Sequence, residues 1–223
     1  GHLYLHIPFC HRICPYCSFY KHTPGGTDMA AFVQALLAEL QLHQRGIEVK
    51  PRTIYLGGGT PTMLSETHLA TLLEGLRSAL DCTELVEFCI EANPKNIPPA
   101  KARLLCEAGI TRISLGVQAW YEPTLQLLGR DHTPEEALKV YGALRDAGIP
   151  DVNLDLMFSI PGLSMAAWRA NLEKTIALRP DHVSCYNLTY EEDTAFLSRF
   201  RAGQRARTSS RSAPVSTSRW RGS

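Results

Sequence analysis

Three cysteines stand within eight residues near the start of the chain: Cys10, Cys14 and Cys17, in the run His6-Ile-Pro-Phe-Cys10-His-Arg-Ile-Cys14-Pro-Tyr-Cys17. At this C-x3-C-x2-C spacing they are too close together to be a disulfide framework, but they can present three thiolates on one short arc. A closed iron–sulfur cluster takes four such ligands. Three would leave one iron free to bind something from outside the chain, and an open position separates a metal centre that does chemistry from one that only holds a fold. Two other readings use the same residues. Zinc held by the three cysteines with His6, His11 or His22 is chemically possible, and free cysteines often serve as small hydrophobes.

The elements that must carry this loop follow from periodicity. Short β-branched or aromatic runs alternate with helical ones, predicting strands over 3–7, 53–56, 85–90, 112–117, 152–157 and 182–188. Helices are predicted near 28–45, 66–80, 98–108, 123–128, 134–147 and 164–178. In the first of these, Ala31, Ala35, Ala38 and Leu42, with Phe32, Leu36, Glu39 and Leu40, fall at helical spacing. Thr133-Pro134-Glu135-Glu136 reads as an N-cap, a first-position proline and an acidic first turn. Gly109 and Gly148 stand where C-terminal caps belong. Strictly alternating units imply a parallel α/β architecture. A closed eight-unit barrel usually needs about 250 residues, whereas only six strands fit here, and no G-x-G-x-x-G follows a strand. The expected fold is a six-stranded (β/α)6 partial barrel, with a truncated closed barrel as the alternative.

In such folds chemistry gathers at the carboxyl ends of the strands. The cysteine loop follows the first strand, and Gly57-Gly58-Gly59-Thr60-Pro61-Thr62 follows the second. Glu91 ends the third and Gln118 the fourth, while Asp155 lies in the fifth. Polar groups at five successive strand ends point to one mouth. Each also has a plainer role. Three glycines commonly make a tight turn, but they also let backbone amides approach a ligand closely. Glu91 could cap the next segment, yet a carboxylate closing an apolar strand is costly if buried without a partner. Gln118 and Asp155 could support the structure from behind, Arg130 could be an exposed loop cation, and Tyr16 a packing aromatic. Cys82, Cys89, Cys106 and Cys185 sit in apolar stretches and read as packing residues.

Composition bounds the setting. Of 223 residues, 44% are hydrophobic and 20% charged, as in ordinary globular domains. No apolar run reaches the length of a membrane span. No signal peptide is visible, and an odd count of seven cysteines favours a reducing, cytoplasmic setting. The chain opens at Gly1, so upstream residues are expected. The net charge of +1 hides an asymmetry, because residues 199–223 hold seven Arg and no acid. That Arg/Ser-rich stretch lacks periodicity and is expected to be a disordered or frame-shifted tail beyond a core domain of 1–198. A basic tail invites a nucleic-acid reading, but none is built on this composition.

Taken together, Tyr4-Leu-His6-Ile-Pro-Phe-Cys10, Gly57-Gly-Gly-Thr-Pro-Thr62, Glu91-Ala-Asn-Pro94, Leu115-Gly-Val-Gln118, Arg130 and Asn153-Leu-Asp155-Leu resemble the coproporphyrinogen III oxidase-like branch of radical S-adenosylmethionine proteins. The resemblance covers residues 1 to about 198. It implies that Cys10, Cys14 and Cys17 ligate a 4Fe–4S cluster whose open iron chelates the methionine moiety of S-adenosylmethionine. An electron from a one-electron donor then breaks the sulfonium bond to give a 5′-deoxyadenosyl radical. It further implies that Tyr4, Tyr16, Gly58, Gly59, Thr60, Glu91, Gln118, Arg130 and Asp155 surround S-adenosylmethionine, with Glu91 on the ribose and Tyr16 beneath the adenine.

That branch holds both dehydrogenases acting on coproporphyrinogen III and heme chaperones that pass heme to an apo-hemoprotein. The dehydrogenase motif continues with a further cysteine two places on, where this chain has Phe19. Cys-Pro-Tyr-Cys-Ser-Phe and Asn187-Leu-Thr-Tyr190-Glu match the chaperones instead. The expected role is therefore heme binding and transfer, with porphyrinogen decarboxylation as the alternative and a non-radical zinc or electron-transfer module behind it. Both relatives extend further through a C-terminal domain, so the chain is expected to correspond to their N-terminal part.

Overall fold

A computed structural model describes residues 1–46 and 49–201. Strands and helices alternate as β1 (His2–Ile7), α1 (Met29–Gln44), β2 (Thr53–Gly58), α2 (Glu66–Ala79), β3 (Glu87–Ala92), α3 (Pro99–Glu107), β4 (Arg112–Gln118), α4 (Glu122–Leu127), α5 (Pro134–Asp146), β5 (Asp151–Phe158), α6 (Met165–Ala177), β6 (His182–Asn187) and α7 (Ala195–Arg201). The six strands form one parallel sheet in chain order, ending at β1 and β6 without closing. This is the open partial barrel that the alternation predicted. The basic tail lies, beyond Arg201, outside the described residues.

The two faces of the sheet differ in chemistry because side chains alternate along each strand. Leu5, Ile7, Ile54, Leu56, Phe88, Ile90, Ile113, Leu115, Val152 and Leu154 are all buried and make the core beneath the helices. Each such side chain contributes about 1.5–3 kcal/mol. The alternate positions, which face the inside of the barrel, are largely polar: Tyr55, Glu91, Ser114, Asn153, Asp155 and Ser184. They satisfy one another. The Asn153 amide donates to the Ser114 hydroxyl at 2.7 Å and to Asp155 Oδ1 at 2.7 Å, and its own oxygen accepts from Ser184 at 3.1 Å. A parallel sheet normally has both faces covered. Here one face carries hydrogen-bonding groups in place of an apolar filling.

Local signals place the helices well. Thr133 and Glu136 form a reciprocal capping box at the start of α5, and Asp28 caps α1 through Ala30 and Ala31. Gly109 and Gly148 take positive φ just past α3 and α5, as their placement required. Two expectations need correction. β3 starts at Glu87 rather than 85 and runs through Ala92, so Glu91 lies within the strand and not at its end. Cys185 is exposed, because β6 is an edge strand, whereas Cys89 is buried and Cys82 and Cys106 pack against the core. The helical spacing in the first helix holds, with α1 turning Val33 and Leu40 inward.

One buried cation carries weight. Lys101 on α3 is 7% exposed and donates to the carbonyls of Thr62 and Leu64 at 2.8 and 2.9 Å. It thereby secures the short turn that follows the glycine triplet.

Candidate cofactor site

The cysteine loop leaves β1 on a closed stem. Phe9 bridges His22, Cys10 N–H donates to the His22 carbonyl at 3.0 Å, and His22 N–H donates to Pro8 at 2.8 Å. The rings of Phe9 and His22 meet edge-on at 4.9 Å. Residues 10–22 therefore project as one loop from the carboxyl end of β1.

The glycine triplet delivers β2 to that loop. Gly59 N–H donates to Ile7 and Thr60 N–H to Phe9, at 2.9 and 2.8 Å, extending the β1–β2 pairing up to the first cysteine. A Cβ at Gly59 would stand 2.7 Å from the Phe9 carbonyl oxygen, which is backbone that cannot swing aside. Gly59→Ala is therefore expected to destabilise the fold by about 1–3 kcal/mol and to displace Cys10. Urea denaturation with iron uptake measures both, and an unchanged midpoint with full uptake would refute the close approach.

Glu91 lies at the level of the triplet. Its carboxylate accepts the Tyr55 hydroxyl at 2.8 Å and the Gly58 N–H at 3.1 Å. Burial outweighs those bonds and pushes the carboxyl above the usual carboxylate range. Asp155 behaves likewise, raised by burial although Ser114 and Asn153 donate to it at 2.9 and 2.7 Å. Two buried carboxylates in one cavity favour a ligand that brings donors or positive charge.

β4 ends in a bulge. Leu115 pairs with Leu154 but Gln118 with Leu156, so β4 spends one extra residue. Gln118 sits at φ 66°, a strained setting for a side chain other than glycine. The Gly116 carbonyl in the bulge accepts Arg130 Nη2 at 2.8 Å, and Arg130 Nη1 donates to Cys14 Sγ at 3.6 Å. Arg130 Nε is buried and has no hydrogen-bond partner among the described residues. The approach of Arg130 depends on Gly129, whose φ is +67° and where a Cβ would lie 2.6 Å from Pro15. Arg130 is therefore a part-buried group against the cysteine loop and not a loose surface cation.

A cavity of about 390 Å³ opens at the carboxyl ends of the strands and is lined by Cys10, Cys14, Cys17, Tyr16, Gly58, Gly59, Thr60, Glu91, Gln118, Arg130 and Asp155. Eleven of the twelve residues singled out in the sequence thus share one wall. Tyr4 does not. It is 55% exposed, stacks on Tyr55 at 6.0 Å and donates to His6 Nδ1 at 3.1 Å. Tyr16 lies under Phe196 of α7, with the rings 6.4 Å apart, and burial drives its phenol well above the ordinary range.

Sequence reasoning missed several members of this wall, among them Lys21, Ser114, Met157 and Tyr186. Lys21 Nζ donates to the Cys17 carbonyl. His132, without a nameable partner in the sequence, is buried and bonds the Val117 carbonyl at 3.1 Å. Burial, and then the Arg130 charge, push its pKa down to about 4, so it is neutral at pH 7. Only strand alternation could have flagged Ser114; nothing local marks the others.

The donor set fits a cluster with a zwitterionic ligand. Three thiols line the cavity together with the side-chain-free end of β2 and two buried carboxylates, and the buried Arg130 Nε has no hydrogen-bond partner among the described residues. Among the described residues no three His, Cys, Asp or Glu side chains converge as a single-ion site. Of the histidines that could complete a zinc site, His11 lines the cavity, whereas His6 bonds the Tyr20 carbonyl and His22 the Thr23 carbonyl.

Comparison with known proteins agrees. The Radical SAM superfamily model matches residues 4–174. The chain is 38% identical to the heme chaperone HemW of Lactococcus lactis subsp. lactis (strain IL1403) over 200 residues, 90% of this chain and 52% of that protein. It is 40% identical to the heme chaperone HemW of Escherichia coli (strain K12) over 201 residues, 88% of this chain and 53% of that protein. The solved structure of coproporphyrinogen III oxidase (HemN) from Escherichia coli, a radical SAM enzyme, superposes with a TM-score of 0.77 at 26% identity, covering 85% of this chain and 44% of that one. The chain spans about half the length of the curated relatives it matches. No helix among the described residues is long and apolar enough to cross a membrane.

Proposed function

This chain belongs to the radical S-adenosylmethionine superfamily, and from that premise we propose that it acts in heme delivery, binding heme beside a 4Fe–4S cluster and passing it to an apo-hemoprotein. Membership of the family implies the cluster and S-adenosylmethionine. Cys10, Cys14 and Cys17 would hold the cluster. Gly58, Gly59, Thr60, Glu91, Gln118 and Asp155 would receive S-adenosylmethionine, with Tyr4 stacked on the Tyr55 ring that bonds Glu91. When bound, the pair supplies one-electron chemistry and calls for a one-electron donor. The residues of this chain orient the ligand through Glu91, itself held by Tyr55 and the Gly58 N–H, exclude water behind Tyr16 and Phe196, and keep His132 neutral.

The observation that carries the chaperone reading is Phe19. It lines the same cavity as the three cysteines and is 68% exposed, so an apolar ring stands at the mouth where the dehydrogenase motif has a thiol. A phenyl ring offers a face for a flat macrocycle and no ligand for iron. Likeness to coproporphyrinogen III oxidase favours the decarboxylation reading as the second choice.

One experiment separates them. Hemin titration of the anaerobically loaded chain is expected to give a saturable Soret shift, and apo-globin added afterwards should acquire the heme. Coproporphyrinogen III with S-adenosylmethionine and a strong reductant should not lose its propionate carboxyls. Turnover of that substrate without heme uptake would overturn the chaperone reading and promote the other.

A further inference from the structure

We propose that Thr60 and Arg130 act on the cysteine sulfurs as fixed hydrogen-bond donors that hold two of the three cluster thiolates and raise the reduction potential of the cluster. The proposal rests on the cluster reading given above. It assigns both residues a task different from contact with S-adenosylmethionine.

Each sulfur has its own donor, and each donor comes from a different part of the chain. The Thr60 hydroxyl donates to Cys10 Sγ at 3.7 Å, and Arg130 Nη1 donates to Cys14 Sγ at 3.6 Å. Cys17 Sγ accepts the backbone N–H of Phe19. The two side-chain donors are held from behind. Thr60 is 8% exposed and its own N–H is tied to the Phe9 carbonyl at 2.8 Å. The other end of the Arg130 guanidinium is anchored on the Gly116 carbonyl at 2.8 Å. Neither donor has to reorganise when charge changes on the sulfurs.

Reduction adds one electron to a cluster that already carries negative thiolates. The added charge spreads onto the sulfurs, where a prepositioned donor stabilises it more than it stabilises the oxidised form. In a buried setting this preference is stronger than in water, and the full positive charge of Arg130 adds to it. Removing either donor therefore makes the cluster harder to reduce. A residue that only touches S-adenosylmethionine would change the affinity for that ligand and leave the potential of the ligand-free cluster alone.

The test is a dithionite titration, followed by EPR, of the reconstituted full chain without S-adenosylmethionine. Iron and sulfide are assayed in parallel, and folding is followed by far-UV circular dichroism. Thr60→Val, which keeps the shape and deletes the hydroxyl, is expected to shift the midpoint to lower potential, and Thr60→Ser to restore it. Arg130→Met should shift it further down than Arg130→Lys, which keeps the charge but loses the fork. Thr60→Val and Arg130→Met with wild-type midpoints on complete clusters would overturn the proposal. If folded Thr60→Val takes up no cluster while Thr60→Ser does, the holding role stands; failure of both would refute a role for the hydroxyl. Wild-type chain that takes up iron but no sulfide would remove the cluster reading instead, and the proposal with it.

Discussion

Alanine at any one of Cys10, Cys14 or Cys17 is expected to abolish uptake of the roughly four iron and four sulfide that anaerobic reconstitution should load on the wild-type chain. The effect is large because no other cysteine lines the cavity. Thr60 and Arg130 stand on the sulfurs as donors rather than soft ligands, and His6 and His22 bond backbone carbonyls elsewhere. Alanine at Cys82, Cys106 or Cys185 should leave uptake intact, since none of these lines the cavity. Cys89→Ala should load as well but melt earlier, because that side chain is buried in the sheet. Iron, sulfide and visible absorption decide the matter. One tightly held zinc without sulfide in the wild type would sink it.

Glu91→Gln should move ligand affinity and stability in opposite directions. The carboxylate is the charged acceptor placed for the sugar hydroxyls, and loss of a charge-assisted hydrogen bond costs roughly 1.5–3 kcal/mol. That corresponds to about 10- to 150-fold weaker S-adenosylmethionine binding. The cofactor-free chain should instead become more stable at neutral pH. Burial raises the folded-state pKa of Glu91 above its unfolded value, so the folded chain keeps a proton that the unfolded chain has released. Wild-type stability therefore falls as pH rises through that window. The glutamine, whose amide can serve both Tyr55 and Gly58, carries no such loss. A higher melting temperature for the variant at neutral pH, vanishing at acid pH, is expected by calorimetry. Equal affinity in variant and wild type would take Glu91 out of the site.

Several features were legible because their causes are local. Strand and helix alternation depends on side-chain periodicity within ten or so residues, and Thr133-Pro134-Glu135-Glu136 contains a whole capping box in four. Cys10, Cys14 and Cys17 share one loop, so their spacing alone brings them together. Glu91, Gln118 and Asp155 could be placed on the mouth because every strand of a parallel barrel presents the same end to the same side. Errors arose where a neighbour from another element decides. Cys185 looks like a core residue in its own segment, but among the described residues β6 has no strand beyond it. Tyr4 bonds His6 two places on in the motif, and its stacking on Tyr55 across the ladder depends on the register of two strands.

The sequence by itself determined the order of elements, the parallel open barrel and the three-thiol loop, all of which follow from short-range periodicity and spacing. Only the tertiary structure decided which groups stand on the sulfurs. Arg130 reaches Cys14 across 116 residues of chain, through a bulge in β4 and a glycine pressed against Pro15. The Tyr55–Glu91 bond and the Asn153 network likewise depend on the register between neighbouring strands. Such contacts have no signature in any one segment, because each is the product of two backbone paths meeting, and only the packed core holds those paths in register.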